Sequence, residues 1–259
     1  MKVDGIEKNW RDSPKKNEHD MLKYQQWFDS CESIEECVSN GFIDFSHKIF
    51  TQDLYKLVGD PKDKTCLEIG FGGGRLINAA SKYFKKCYGL DVLSPSSISK
   101  TREFLASKGT HNVELLHKEN ASSIEDASVD FVYSFIVFQH FSNFEEAKNY
   151  FSLFNRVLKK GGCGKIYLKG IPKNREISFP KIALKLPENY LKPVLEIPPN
   201  FFEENSSEEG CRYCSLFVES DYVCDFLKEN FTILETRGST KKMWNDIPSD
   251  QYYIKFIKE

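Results

Sequence analysis

The sequence has no excess of charge of either sign. Its 259 residues include 36 Lys and Arg against 38 Asp and Glu, a formal charge of -2, and no local basic run stands out. Proteins that coat nucleic acids neutralise phosphates with a basic excess or a basic face. We therefore expect no nucleic-acid partner.

Long apolar runs are also missing. No stretch approaches the roughly 20 apolar residues that cross a bilayer, and charged residues are spread through the first 30 positions, unlike an export signal. These features predict a cytoplasmic protein without a membrane partner. The hydrophobic fraction of 40% still suffices for a substantial core, which excludes global disorder.

Clusters of metal-binding residues are scarce. The eight cysteines are scattered, Cys211 and Cys214 form an isolated C-x-x-C with only Cys224 nearby, and no histidine follows His140. A zinc site needs a second pair of ligands at suitable spacing. We expect no metal, and packed thiols in a reducing compartment account for most of these cysteines.

An alternation of short apolar runs and segments of helical period fills residues 61–169 and is typical of a parallel sheet covered by helices. Further on, two runs with a short polar connection indicate an antiparallel pair. The predicted strands are 65–69, 87–90, 113–117, 129–138, 165–168, 231–236 and 252–257. The predicted helices include 94–108, 220–230 and one that opens at a Ser142-x-x-Glu145 capping box and closes at residues 159–162.

Two segments depart from this alternation. Residues 1–58 hold helix-like pieces around 21–28 and 42–57 and predict a helical cap. Residues 172–199 hold six of the ten prolines, so they cannot form a long regular helix. We interpret 1–259 as a single domain, with a core at 59–259 and an ordered insertion at about 172–215 over the sheet edge or the site.

A glycine-rich turn at residues 68–74 (EIGFGGG) ends the first strand and opens a helix, where exposed backbone amides can meet a ligand. Asp91 lies 21 residues after Gly70, at the end of the next strand. A carboxylate placed there can accept hydrogen bonds from both hydroxyls of a ribose. Together the two features predict an adenosine-type ligand.

The details of the turn discriminate between cofactors. A dinucleotide fingerprint would need glycine where Arg75 stands, and no Gly-Lys-Ser/Thr follows for a Walker loop. The pattern hydrophobic-Glu-x-Gly-x-Gly-x-Gly with an acidic strand end resembles class I S-adenosylmethionine-dependent methyltransferases. Residues 118–121, 128–134, 138–141 and 155–162 resemble later segments of that family. A nicotinamide-dependent reductase on the same sheet, and a non-catalytic S-adenosylmethionine-binding protein, stay as alternatives.

The resemblance implies a Rossmann-like α/β fold: a seven-stranded, mostly parallel sheet in the order 3-2-1-4-5-7-6 with helices on both faces. It also implies S-adenosylmethionine as the cofactor. Asp91 would hold the ribose, Glu68 would anchor the amino-acid end, and Asn120 with Ala121 would border the adenine. The cofactor-binding residues implied are Glu68, Gly70, Phe71, Gly72, Gly74, Arg75, Asp91, Val92, Asn120, Ala121, Phe135 and Ile136.

His140, at the predicted end of the central strand, is a candidate general base, since histidine titrates near neutrality. A hydrogen-bonded structural role is the competing interpretation. The motifs of the enzymes that methylate nucleobases or glutamine are missing, so we expect a small-molecule acceptor of unknown identity. Cap aromatics could close over the site or pack in the core, and insertion cations could meet an anionic acceptor or lie on the surface. These side chains are Trp10, Tyr24, Trp27 and Phe28 in the cap and Lys173, Arg175, Lys181 and Arg212 in the insertion.

Overall fold

A computed structural model describes residues 5–178, 183–198, 201, 214–238 and 250–259. The strands of the main sheet are β1 (Thr65–Ile69), β2 (Lys86–Asp91), β3 (Val113–His117), β4 (Val129–Ser134), β5 (Leu158–Lys169), β10 (Phe231–Gly238) and β11 (Gln251–Lys258). Four short strands form two small ladders: β6 (Glu176–Ser178), β7 (Ala183–Lys185), β8 (Val194–Glu196) and β9 (Leu216–Val218).

The main sheet has seven strands in the order β10-β11-β5-β4-β1-β2-β3. Strands β1 to β5 pair in parallel, while β11 runs antiparallel to both β5 and β10. Numbered along the chain, β10 and β11 are the sixth and seventh strands of this sheet. The expected order 3-2-1-4-5-7-6, with its antiparallel last pair, is therefore confirmed.

Helices cover both faces of the sheet, as expected. Their bounds are α1 (Gly5–Asp12), α2 (Met21–Phe28), α3 (Ile34–Asp44), α4 (Gln52–Val58), α5 (Arg75–Ala80), α6 (Pro95–Ser107), α7 (Phe144–Val157) and α8 (Ser220–Leu227). Helices α7 and α8 pack on one face, and α4, α5 and α6 on the other. Within the described ranges, no helix is both long and apolar enough to cross a membrane.

The cap is built of several short helices. Helix α2 coincides with the predicted piece at 21–28, whereas the piece at 42–57 is divided by Phe50 and Thr51, before α4 begins. Phe45, Ile49 and Leu54 are buried in the same apolar cluster as residues of β1 and β4. The N-terminal segment therefore contributes to the core beneath the sheet.

The central strand β4 is shorter than predicted. The apolar run at 129–138 continues to Phe138, but β4 ends at Ser134 and a short 3-10 turn covers Phe138–His140. Ile136, between them, has a left-handed φ of 61°. Phe138 is buried in that turn, because an apolar run signals burial and does not by itself distinguish a strand from a buried turn.

Helix α7 begins one residue later than the predicted capping box. The Asn143 side chain caps it, accepting from the Glu146 backbone N–H at 2.9 Å, and the Glu146 carboxylate accepts from the Ser142 N–H at 3.3 Å. The N-cap is thus Asn143 and not Ser142, because Asn competes well with Ser as an N-cap.

The same helix ends earlier than predicted, at Val157. Residues 159–162, which we expected to close it, belong to β5. The pairing of β4 with β5 shifts register between Leu158 and Cys163, and Gly161 lies there at a φ of 77°. A bulge of this kind lets a strand continue through a glycine pair that resembles a helix end.

The proline-rich segment has no long helix in its described residues, and it carries β6, β7 and β8 instead. Ile177, Ile197 and Phe217 form a small apolar cluster there. Glu196 accepts from the Phe144 backbone N–H at 2.8 Å, which places part of the segment beside the start of α7.

Candidate active site

The glycine-rich turn leaves β1 and enters α5 through a tight bend. Gly70, Gly72 and Gly74 all have positive φ values, of 76°, 49° and 91°. A Cβ on Gly70 would lie 2.3 Å from the Val137 side chain, so no larger residue fits between β1 and the loop after β4. The turn therefore presents bare backbone at the carboxyl end of the sheet.

Asp91, the last residue of β2, faces this turn. One carboxylate oxygen accepts from the Gly72 N–H at 2.8 Å and the other from the Val92 N–H at 2.7 Å. Burial raises the pKa of Asp91 to about 6, against the opposing effect of these backbone hydrogen bonds. Each oxygen has a second lone pair, so the carboxylate can accept further donors from a ligand.

Glu68 lies deeper, on β1, and is 1% exposed. The Tyr133 hydroxyl donates to its Oε2 at 3.0 Å. Burial raises the pKa of Glu68 to about 8, while the Tyr133 hydrogen bond and the nearby Arg75 act in the opposite direction. At neutral pH this side chain is therefore mainly a protonated acid.

Helix α2 lies directly over the glycine turn. The Gln25 side-chain amide donates to the Gly73 carbonyl at 2.8 Å, and a Cβ on Gly72 would lie 2.8 Å from the Phe28 ring. From the other side, the Thr101 hydroxyl donates to the Gly72 carbonyl at 2.9 Å. The turn is consequently held by helices from two distant parts of the sequence.

Arg75, at the start of α5, forms ion pairs with two aspartates of the N-terminal segment. Its Nη1 lies 2.7 Å from the Asp44 carboxylate and its Nε lies 3.1 Å from Asp29. The nearby Arg75 charge counteracts the effect of burial and lowers the pKa of Asp44. Arg75 thus ties the glycine turn to the N-terminal helices.

A cavity of about 380 Å³ opens between the turn, the ends of β2 and β4, and helices α1 and α2. This volume is in the range of small-molecule sites. The predicted site residues that line it are Glu68, Gly70, Phe71, Gly72, Arg75, Asp91, Val92, Phe135, Ile136 and His140. Other lining residues include Glu7, Trp10, Gln25, Phe28, Asp29, Ser30, Gln139, Phe141, Ser142, Glu146 and Tyr150.

Three predicted residues lie outside this lining. Gly74 is the N-cap of α5 with a left-handed backbone. Asn120 is exposed, and its carbonyl accepts from the Ser123 hydroxyl. The Ala121 carbonyl accepts from Arg156 at 2.7 Å. Both contacts are to backbone carbonyls, and the structure does not bring Asn120 or Ala121 to the cavity wall.

His140 belongs to a chain of polar side chains. Its Nε2 lies 3.2 Å from Gln139 Nε2, and Gln139 Oε1 accepts from the Gln251 amide at 3.0 Å. Because Gln139 already accepts from Gln251, its amide nitrogen donates to His140 Nε2 in this arrangement. The His140 ring also lies 4.6 Å from the Trp10 ring.

Sequence reasoning missed the acidic and amide residues that the cap and α7 contribute. Trp10 and Phe28 had been weighed as covering aromatics and both line the cavity, whereas Tyr24 is fully buried beside it. Glu7 could have been found from its i, i+3 spacing to Trp10 on one helix face. Nothing local in the sequence marks Glu146 or Tyr150, because α7 reaches the cavity only through the tertiary fold.

The insertion cations do not form a wall of this cavity. Arg175 is half-exposed and donates to the Pro187 carbonyl at 3.2 Å, and neither it nor Lys173 is among the lining residues. Lys181 and Arg212 lie outside the described residues, as does Cys211 of the C-x-x-C. Cys214 is described and lies 3.6 Å from Lys169 Nζ. In the described part of the chain, no group of three His, Cys, Asp or Glu is placed to hold a metal ion.

Comparison with known proteins agrees with this geometry. Residues 67–164 match the family model described as a methyltransferase domain, and this range includes β1 to β4 with the glycine turn and Asp91. This segment is therefore similar to a methyltransferase domain.

Solved structures share the fold of this chain at low sequence identity. A SAM-dependent methyltransferase from Methanosarcina mazei is 18% identical, with a TM-score of 0.56 over 80% of this chain and 97% of its own. One from Mesorhizobium loti is 14% identical, with a TM-score of 0.56 over 80% and 96%. One from Aquifex aeolicus is 16% identical, with a TM-score of 0.52 over 88% and 100%. No curated protein matches the sequence significantly.

Proposed function

We propose that this chain transfers the methyl group of S-adenosylmethionine to a small molecule bound in the cavity beneath α1 and α2. The observation that carries the proposal is Asp91, held at the end of β2 by the glycine turn and facing a cavity that the cap helices close. A concave cavity of about 380 Å³ suits a cofactor and a compact acceptor better than a flat macromolecular surface does.

In this proposal, Asp91 accepts hydrogen bonds from the ribose hydroxyls of the cofactor. Its two oxygens are aligned by the N–H groups of Gly72 and Val92 and keep acceptor capacity. The bare backbone from Gly70 to Gly74 provides the close approach that the methionine portion needs, with Glu68 beneath it.

The cofactor supplies a methyl group already activated by its sulfonium. The chain therefore has to align the acceptor and exclude water, which provides most of the acceleration of such a displacement. Phe28, Phe135 and Phe141 contribute apolar wall to the cavity. If the acceptor is a hydroxyl, His140 is the proposed proton acceptor, through its Nε2 after that atom has released the Gln139 amide. A neutral amine, a thiolate or a carboxylate would need no proton acceptor from the protein.

The charges of the lining favour a neutral or cationic acceptor over an anionic one. Among the described residues, the lining has the carboxyl groups of Glu7, Asp29, Glu68, Asp91 and Glu146, and no lysine. Arg75 carries the permanent positive charge in this part of the chain and is engaged by two aspartates. An anionic acceptor would therefore meet no uncompensated cation among these side chains.

The proposal is tested by supplying S-adenosylmethionine with an isotopically labelled methyl group to panels of small amines, thiols, alcohols and carboxylic acids. We expect label in a low-molecular-weight product and acceptor-dependent release of S-adenosylhomocysteine. Asp91→Asn should lose this turnover at low cofactor concentration and regain part of it at high concentration.

Two results would contradict the proposal. Tight cofactor binding without turnover on any panel would favour the non-catalytic binding protein. Preferential binding of a nicotinamide dinucleotide would favour the reductase.

A further inference from the structure

A line of hydrogen bonds runs from the start of β11 to the cavity. Gln251, the first residue of β11, donates through Nε2 to Gln139 Oε1 at 3.0 Å. Gln139 Nε2 in turn lies 3.2 Å from His140 Nε2. Gln139 and His140 line the cavity, and Gln251 is not part of its described lining. Strand β11 therefore acts on His140 through one intervening side chain, although Gln251 and Gln139 are 112 positions apart.

The two amide groups of this line are shielded from water. Gln139 is 8% exposed and Gln251 is 6% exposed. Buried polar groups have to find their hydrogen-bond partners within the protein, because an unpaired donor or acceptor is costly. The direction in which each amide points is therefore set by its neighbours in the line.

The backbone on either side of His140 is fixed. The Gln139 carbonyl accepts from the Ser215 N–H at 2.8 Å, and the Ser215 hydroxyl donates to the Phe141 carbonyl at 3.0 Å. The His140 N–H donates to the Val137 carbonyl at 2.8 Å. A change in the hydrogen bonds of the line is consequently taken up by rotation of the side-chain amides rather than by movement of this turn.

The direction of the line determines which nitrogen of His140 carries the proton. Gln139 Oε1 already accepts from Gln251, so the Gln139 amide presents its N–H to the ring. A ring nitrogen that accepts a hydrogen bond holds a lone pair and no proton. In this arrangement neutral His140 is therefore the tautomer with hydrogen on Nδ1, and its Nε2 is basic.

Gln251 also has an acceptor that the observed direction leaves unused. Its Oε1 is buried and has no hydrogen-bond partner among the described residues. If Nε2 of His140 took up a proton, that nitrogen would become a donor and would require the carbonyl oxygen of Gln139. Turning both amides over would supply that oxygen, and the Gln139 NH2 group would then donate to Gln251 Oε1. The reversed line would thus pair the acceptor that is now unpaired.

We propose that Gln251 is a positioning residue for proton transfer: through Gln139, it keeps Nε2 of neutral His140 unprotonated and ready to accept a proton. This role rests on the proposed function and on a hydroxyl acceptor, whose O–H would replace the Gln139 amide at Nε2. The hydroxyl proton passes to Nε2 as the oxygen bonds to the methyl carbon and the C–S bond breaks, which leaves its electron pair on sulfur. The reversed line of amides then holds the protonated ring until it returns the proton to solvent.

The test reads the tautomer of His140 directly, in the free chain and without an acceptor. Long-range 1H–15N spectra of protein with 15N-labelled histidine distinguish the protonated from the unprotonated ring nitrogen. His140→Gln identifies the His140 signals among those of the five histidines. At about pH 8.5, well above the ordinary pKa of histidine, wild-type His140 should carry its hydrogen on Nδ1.

Two substitutions of Gln251 should change that tautomer to different degrees. Gln251→Glu introduces a carboxylate, which accepts and cannot donate, and Lys169, the register partner of position 251 on β5, favours its ionised form. Gln139 then has to turn its NH2 group toward β11, so the hydrogen should move to His140 Nε2. Gln251→Met removes both polar atoms from a side chain of similar length, so the Nε2–H tautomer should become a substantial fraction of a mixture.

Tyr252→Phe is the matched control. It alters the next residue of β11, whose hydroxyl donates to the Val218 carbonyl at 3.0 Å, and leaves the line of amides intact. This variant should keep the wild-type tautomer. With a hydroxyl acceptor, Gln251→Met should lower kcat at least about tenfold and leave KM for S-adenosylmethionine within about twofold, since a general base contributes to the chemical step and not to cofactor binding.

A wild-type ring with hydrogen on Nε2 would overturn the proposal, as would retention of the wild-type tautomer in both Gln251 variants. The same change of tautomer in Tyr252→Phe would assign the effect to a disturbed β11 and would overturn the proposal too. Methylation of amines, thiols or carboxylates alone would overturn the role in proton transfer and leave the proposed function intact. Absence of methyl transfer to every acceptor, with the expected tautomers, would instead contradict the proposed function.

Discussion

At the scale of single residues, the site depends on two buried carboxyl groups with different tasks. Asp91 accepts from two backbone N–H groups and faces the cavity, whereas Glu68 is sealed under the glycine turn with Tyr133 as its partner. Burial raises the pKa of both, to about 6 and about 8. Their protonation states therefore change at different pH values.

Replacing Asp91 by Asn should weaken binding of S-adenosylhomocysteine by roughly 1.5 to 3 kcal/mol, because charge-assisted hydrogen bonds to the ribose are lost. Ligand donors prefer the ionised carboxylate, so wild-type affinity should fall as the pH drops through about 6. The Asn variant should lack this pH dependence. Titration calorimetry between pH 5 and 8 measures both effects, and an unchanged dissociation constant would refute the assignment.

Asn is a better test than Ala at this position. Asp91→Ala would also remove both acceptors of the Gly72 and Val92 N–H groups, so the glycine turn itself would be destabilised.

Glu68→Gln should stabilise the free protein at high pH. The pKa of Glu68 is about 8 in the folded protein, against an ordinary value of 4.5. Its contribution to stability is therefore complete below about pH 4.5, where the acid is protonated in both the folded and the unfolded chain. It is lost as the pH rises through 8, because the unfolded chain releases this proton more readily. Relative to wild type, the Gln variant should gain roughly 3 to 5 kcal/mol in unfolding free energy between pH 5 and 9.

Urea denaturation at the two pH values measures this change. Tyr133→Phe is the matched control, since it removes the hydroxyl that donates to Glu68 and leaves the titrating group in place. A stability difference between Glu68→Gln and wild type that does not vary with pH would show that Glu68 is ionised in the folded protein.

At the scale of secondary-structure elements, helix α2 and the glycine turn constrain each other. A side chain at Gly72 collides with Phe28 of α2, at 2.8 Å, and the backbone there has a φ of 49°. The structure therefore makes α2 the first element that must move when a side chain is placed at Gly72.

Gly72→Val should therefore lower the unfolding free energy by roughly 1 to 3 kcal/mol, as overpacking and a left-handed backbone both penalise it. The same substitution in a Phe28→Ala background should cost less, since the colliding ring is gone. Urea denaturation of the wild type, Gly72→Val, Phe28→Ala and the double variant gives this comparison. An equal loss of unfolding free energy from Gly72→Val in both backgrounds would mean that the Phe28 ring does not cause the destabilisation.

The elements also show how far the sequence alone could lead. Strands β1 and β3 and helix α2 have the predicted bounds, because strong periodicity and clear turn residues mark them. The predicted end of β4 was wrong, since Phe138 is buried in a turn that resembles a strand in composition. The predicted start of β5 was wrong because Gly161 marks a bulge and not a helix end. Glu146 and Tyr150 reach the cavity through packing alone, which no local pattern reveals.

At the scale of the whole molecule, the two ends of the chain are joined through the sheet. Asp53 of α4 forms an ion pair with Lys255 of β11 at 2.5 Å, across 202 positions of sequence. The Tyr24 hydroxyl of α2 donates to the Ser97 carbonyl of α6 at 2.8 Å. These contacts are the physical basis for expecting one cooperative domain.

Calorimetric unfolding should therefore show a single transition that includes the N-terminal helices, and S-adenosylhomocysteine should raise its midpoint. Tyr24→Phe should lower that midpoint without splitting the transition. Two separate transitions, with residues 1–58 melting first, would show that the cap is an independent unit.

The most direct test of the account is isothermal titration of the purified chain with S-adenosylhomocysteine, beside NADH as the competing cofactor class. We predict one binding site for S-adenosylhomocysteine, a marked loss of affinity in Asp91→Asn and no comparable binding of NADH. Absence of heat and of any thermal shift at millimolar S-adenosylhomocysteine, or tighter binding of NADH, would contradict the proposal that this cavity holds S-adenosylmethionine for methyl transfer.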